Sequence, residues 1–163
     1  MDELVRWLGE QFDEDERIAR AAIRAVGDVP GGVPGAAQWR FGNAYTDEGG
    51  TYWQITTMPP DAEVFGPVEL IGSGMSGGGA HEPEIARHAV EHDPARVLRE
   101  IAAKLAIVAR YEFACKQAAA DRSNSAEERE VWVRVAGALQ SCVLCLAGPY
   151  ADRPGFRDEW RTP

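Results

Sequence analysis

One change of hydrophobic period does most to limit what this chain can fold into. Leu4, Leu8, Phe12, Ala19, Ala22 and Val26 recur at steps of three to four, the spacing that lines one face of an α-helix. An amphipathic helix is therefore expected over residues 2–26, with Asp2 placed to cap its first turn and one break in the pattern at Asp15. The acids Asp13, Glu14, Asp15 and Glu16 read as its solvated face. The stretch GDVPGGVPG, residues 27–35, cannot continue a helix, because proline lacks the donor and glycine loses too much backbone entropy. After it the period drops to two. Residues 38–45, 50–58 and 62–71 alternate as strands do. Asp47-Glu-Gly-Gly supplies a hairpin turn, and Met58-Pro-Pro-Asp a second connection. The strands carry Trp39, Phe41, Tyr45, Tyr52 and Trp53, and so small a sheet needs a body to pack on.

Helical spacing returns after the glycine-rich GSGMSGGGA, residues 72–80. Residues 81–92 read as a short helix. Asp93-Pro94 starts a long one, reaching about Ala120, with Leu98, Ile101, Leu105, Val108 and Tyr111 on its inner stripe. Ser125-Ala-Glu-Glu128 has the capping-box pattern. It opens a last helix with Val131, Val135, Leu139, Cys142 and Leu146 on one side, ended by Gly148-Pro149. The tail YADRPGFRDEWRTP holds three aromatics and is expected to lie across the body. The order predicts a single α+β domain over residues 1–163. It comprises an N-terminal helix, a small three-stranded antiparallel sheet, then a helical hairpin and an irregular C-terminal tail.

Charge narrows the partners. The 163-residue chain carries a formal net charge of −9 with no basic stripe, so it repels nucleic acid and anionic membranes. No run approaches the roughly 18 consecutive apolar residues of a membrane helix. The N-terminus is acidic and amphipathic, unlike a signal peptide. Cys115, Cys142 and Cys145 are an odd set, which argues against a disulfide framework and for a reduced, cytoplasmic protein.

The most suggestive stretch is HAVEHDPARVL, residues 88–98. Asp93 can cap a first turn, and Pro94 sits where its missing N–H costs nothing. His88 and His92, four apart, share one helical face, a spacing that can present two imidazoles to zinc. There is no HExxH, and a histidine at a helix C-terminus is also favoured by the dipole. Capping, metal binding and ligand contact all remain open here. Cys142-Val-Leu-Cys145 lies in an apolar helical stripe and reads as core filling rather than a zinc knuckle. Gly72-Ser-Gly74-Met-Ser-Gly77 matches GxGxxG, but more helix follows where a dinucleotide fold needs a parallel strand. What survives is a glycine loop that can offer amides to an anion, with His81 nearby. Arg96 and Arg99 open the long helix, and Arg153, Arg157 and Arg161 punctuate the tail. If the tail folds back, Tyr150, Asp152, Arg153 and Trp160 join His88, His92 and Arg96 in one pocket.

Three blocks resemble an uncharacterised family of small proteins of actinobacteria, especially streptomycetes, and their phages: LVRWLGEQFDEDERIARAA, HAVEHDPARVLREIAAK and LAGPYADRPGFRDEWRTP. The family's His-x-x-x-His-Asp-Pro-Ala-Arg-Val-Leu block corresponds to His88, His92, Asp93, Pro94 and Arg96. Its ending corresponds to Tyr150, Asp152, Pro154, Gly155, Trp160 and Arg161. Two departures stand out. Members with a cysteine- and histidine-containing insert carry it where this chain has the short connection 121–128, and the family's Pro-Gly-Pro-Trp is loosened here to VPGGVPGAAQW. The resemblance implies an origin and a layout, not a reaction.

The resulting expectation is a non-enzymatic binding protein that sequesters a small anionic, nucleotide-like ligand or blocks a host protein. Its ligand residues would be His88, His92, Arg96, Tyr150, Asp152, Arg153 and Trp160, with Asp93, Pro94 and Ser125 as structural caps. No catalytic residue, metal ligand or cofactor is assigned. The alternatives are a metal-assisted hydrolase using His88 and His92, and a homo-oligomeric interaction module.

Overall fold

A computed structural model of the chain describes residues 1–28, 38–47, 50–57, 68–71, 83–120 and 125–162. Among these, four α-helices dominate: α1 (Asp2–Asp28), α2 (Pro83–Glu91), α3 (Pro94–Ala119) and α4 (Ala126–Ala147). Three strands complete the regular structure: β1 (Trp39–Asp47), β2 (Gly50–Thr57) and the four-residue β3 (Val68–Ile71). The expected α+β architecture, with a small three-stranded antiparallel sheet, is therefore corrected to a helix-dominated fold. The sheet is in substance the β1–β2 hairpin, paired antiparallel from Trp39↔Thr57 to Asp47↔Gly50. β3 only fringes β2, at Ile55↔Ile71, Thr56↔Glu69 and Thr57↔Val68. Of the strand expected over 62–71, Val68–Ile71 is described, and four residues are too few to add a layer to the hairpin. The glycine run 72–80 and His81 lie outside the described residues, as do positions 48–49, 58–67 and 121–124.

The chain divides into two compact units, one of Met1–Asp15 with Glu100–Pro163 and one of Glu16–Arg99. Among the described residues, the only regular structure of the first is helical. In α1, Leu4, Leu8 and Phe12 are sealed from solvent at 0–1% exposure, with Trp7 beside them. Ile101, Val108, Tyr111 and Ala114 of α3 are buried, as are Val143 and Ala147 of α4. The expected inner stripes need correction in both helices. Leu105 is 42% exposed and Val131 48% exposed, and Cys142 is exposed. In α4 the buried seam runs through Val143 and Ala147 instead, one turn apart and just ahead of the buried Tyr150.

Local signals set the limits of α4. Ser125 accepts from the Glu128 amide at 3.2 Å, and the Ser125 amide donates to the Glu128 carboxylate at 2.7 Å. This closes a capping box on two otherwise unpaired donors. Beyond Ala147 the chain tightens into a 3-10 turn, Gly148–Tyr150. The tail, expected to be irregular, is built of short turns. Arg153 N donates to Tyr150 O at 3.0 Å, Phe156 N to Arg153 O at 3.2 Å, and Trp160 N to Arg157 O at 2.9 Å.

In the second unit α2 packs on β1 and β2. Ala86 of α2 and Ile55 of β2 are closed to solvent, and the Arg87 guanidinium lies 5.3 Å from the centre of the Phe41 ring. The chain breaks between α2 and α3 at His92-Asp93.

Gly155 is the one described residue with a positive φ, at 83°. A Cβ there would stand 3.0 Å from the Trp7 indole nitrogen, so both backbone and space demand glycine. Gly155→Ala is expected to cost about 1–3 kcal/mol in urea unfolding. Gly9→Ala, in open space within α1, should instead gain about 0.5–1 kcal/mol.

Candidate functional site

The seven residues expected to bind ligand divide between the two units: His88, His92 and Arg96 belong to one, and Tyr150, Asp152, Arg153 and Trp160 to the other. The first three gather where α2 ends. His88 and His92 are exposed, with ring centroids 4.2 Å apart and planes at 40°. His92 Nδ1 donates to the His88 carbonyl at 2.9 Å. Arg96 Nη1 donates to Glu91 O at 2.9 Å, satisfying a carbonyl at the α2 terminus. Beneath them, Asp93 is buried. One of its oxygens accepts from the Arg96 amide at 2.6 Å and the other from the Trp39 amide at 3.2 Å. The same carboxylate thus caps α3 and pins the start of β1 to it.

The tail residues are engaged in folding the first unit. Trp160 is buried against Trp7, with ring centroids 5.2 Å apart, and Phe156 closes the edge at 5.8 Å from Trp7. The Trp7 indole N–H donates to Pro154 O at 3.0 Å. Tyr150, also buried, donates its hydroxyl to Asp15 at 2.8 Å and accepts from Lys104 Nζ at 2.9 Å. Arg153 reaches the other Asp15 oxygen at 2.5 Å and lies 4.7 Å over the Tyr150 ring. Burial, followed by the bond to Asp15 and its charge, raises the Tyr150 pKa well above the ordinary phenol value. Asp152 is exposed. Asp15 is accordingly not on a solvated face. Its role, and that of Lys104, were invisible to a local reading because both partners lie far along the chain.

Sequence reasoning also missed an apolar groove in the first unit. α3 and α4 form an antiparallel hairpin in which Phe113 meets Trp132 edge-on, with centroids 5.5 Å apart. Between the helices lies an open groove of about 650 Å³, lined by Ala109, Arg110, Phe113, Trp132, Val135, Ala138 and Leu139. Phe113 is 52% exposed. By length and composition Ala126–Tyr150 is apolar enough to cross a membrane, yet only 11% of its most apolar window is buried. An apolar excess on both sides of α4 was the available signal. A helix apolar all round normally has cover on every face.

A smaller cleft of about 400 Å³ is lined by Asp2, Val5, Arg6, Tyr111, Glu112, Cys115 and Lys116. There, burial and a hydrogen bond with Cys115 push the Tyr111 pKa up to about 12. All three cysteines are unpaired, and Cys142 and Cys145 are exposed. Among the described residues, no three His, Cys, Asp or Glu side chains gather where one metal ion would be held.

Compared with known proteins, the chain matches a family of unknown function (DUF6221) over residues 1–162. No curated protein and no solved structure matches it.

Two measurements check this geometry. Asp93→Ala removes a cap and leaves the Trp39 amide without its acceptor, and is expected to cost about 1–3 kcal/mol in chemical unfolding. Tyr150 holds its proton more tightly in the folded state. Its stabilisation is therefore complete below pH of about 10 and is lost as pH rises beyond that value. Unfolding free energy should fall with alkaline pH in the wild type, and Tyr150→Phe should lower stability at neutral pH while flattening that fall.

Proposed function

We propose that this chain, which belongs to the family of unknown function matched over residues 1–162, is a non-enzymatic binding protein whose working surface is the α3–α4 groove. The observation that carries this reading is the groove itself. It is an open apolar trough bearing two aromatics and one charge, Arg110. Such a trough suits the apolar face of a protein helix and poorly suits a phosphate-bearing ligand, which needs several convergent donors. Lys104 and Arg153 are already committed to Tyr150 and Asp15. Kinship with small proteins of actinobacteria and their phages belongs to the same proposal, resting on the His-Asp-Pro block and the Pro-Tyr-Ala-Asp ending. So does a cytoplasmic location, which suits three unpaired thiols.

A second reading rests on the α2–α3 corner. Two exposed imidazoles side by side, with Arg96 next to them, offer hydrogen bonds and positive charge to a small anion.

Native mass spectrometry of the protein purified from its own host tests both. The groove reading expects a bound protein chain that is absent from Val135→Asp and retained by the double variant His88→Ala/His92→Ala. A nucleotide-sized increment with the opposite variant pattern establishes the second reading in its place. A bare 17.8 kDa species under all conditions rejects both.

A further inference from the structure

We propose that the occupant of the α3–α4 groove is a second copy of this chain, so that two helical hairpins close into a four-helix bundle about a two-fold axis. The inference deepens the groove reading above and rests on it.

The first argument is shape. Along α3, Ala102, Ala106, Ala109 and Phe113 fall at helical spacing and are all exposed. Phe113 and Trp132 make an aromatic ridge at one end of the hairpin. Ala109 lines the groove with Ala138 and Leu139 of α4, and Ala102 and Ala106 continue the row of small exposed side chains away from the aromatics. One face therefore carries both a ridge and a hollow. A two-fold axis across the hairpin lays the ridge of each copy over the trough of the other, which is the self-complementarity an isologous interface requires. Alanine faces let helix axes approach to the short end of the usual 8–10 Å, and paired hairpins are a known route to a four-helix core.

The second argument is area. Leu105, Phe113 and Val131 are 42%, 52% and 48% exposed, and Trp132, Val135 and Leu139 are half-buried beside them. Together with the alanines they offer on the order of 500 Å² per copy, so a pair covers about 1,000 Å², the lower bound for a specific interface. The third argument is charge. No acid lines the groove, although the chain carries −9 overall. Arg110 makes no hydrogen bond or ion pair among the described residues, and it can keep its head at the rim while its stem packs. A bilayer covering the same face would have to take in that guanidinium.

Sedimentation velocity and light scattering on the full chain, over a range of concentrations, read the mass directly. The expected species is a dimer of twice 17.8 kDa. Added salt should tighten it, because two acidic bodies repel and screening relieves that repulsion. Amide hydrogen exchange should slow over residues 102–113 and 131–139 as the dimer forms. Val135→Asp should weaken the dimer by roughly 100-fold or more, since each interface then buries two unpaired carboxylates. Val135→Ala keeps the proposal testable if the aspartate variant fails to fold, with a loss of about tenfold. A strict monomer at every concentration overturns the second copy as occupant. If native mass spectrometry still finds a foreign chain lost in Val135→Asp, the groove reading survives that failure. A dimer that Val135→Asp leaves intact, with no protection over those segments, overturns both. Flotation of the wild-type chain with phosphatidylcholine–phosphatidylglycerol vesicles, abolished by Val135→Asp, replaces the second copy with a bilayer.

Discussion

The fit of Trp7 into the C-terminal tail governs the first unit. This indole meets Tyr150, Phe156 and Trp160 at centroid distances of 6.4, 5.8 and 5.2 Å, and its N–H holds the Pro154 carbonyl. Each aromatic pair adds about 0.5–1.5 kcal/mol beyond the area it buries, so the cluster outweighs any single ion pair on the surface. Several other features follow from it. Gly155 must be glycine to let the chain pass the ring. Tyr150 is delivered to Asp15 and Lys104. Arg157 reaches Glu3 at the start of α1. A tail of short turns has little backbone order of its own, and it is held because its aromatics are.

The second unit depends on a carboxylate. Asp93 takes one amide from the first turn of α3 and one from β1. A charged acceptor with two backbone donors is among the stronger hydrogen-bonding arrangements available to a small domain. That makes the His-Asp-Pro block a joint before it is anything else. The two imidazoles are carried on the outside of this joint, at the end of α2, where they are free to meet solvent or a ligand.

Within the first unit, the α3–α4 hairpin also carries an open apolar face. Its α1-facing residues are spent on the core, but α4 has more apolar side chains than one seam can use. Val143 and Ala147 are covered, whereas Val131 and Val133 are about half exposed. Contiguous apolar surface of this kind is uncommon on an isolated domain.

Short-range pattern determined a good deal. The Ser125–Glu128 box, the helix start at Pro94, the apolar spacing of Leu4, Leu8 and Phe12, and the β1–β2 hairpin are all properties of neighbouring residues, and sequence displays them. The third strand contributes only four described residues, because alternation says nothing about how far a ladder runs. Asp15 was read as solvent-facing because its partners, Tyr150 and Arg153, lie more than 130 positions away. Trp7 lies off the α1 stripe, and its burial comes from a tail that periodicity cannot place. The groove was missed for the converse reason: spacing identifies an apolar face but not whether anything covers it. Local chemistry can be read along a line, whereas which faces meet, and which are left open, is set only when the chain closes on itself.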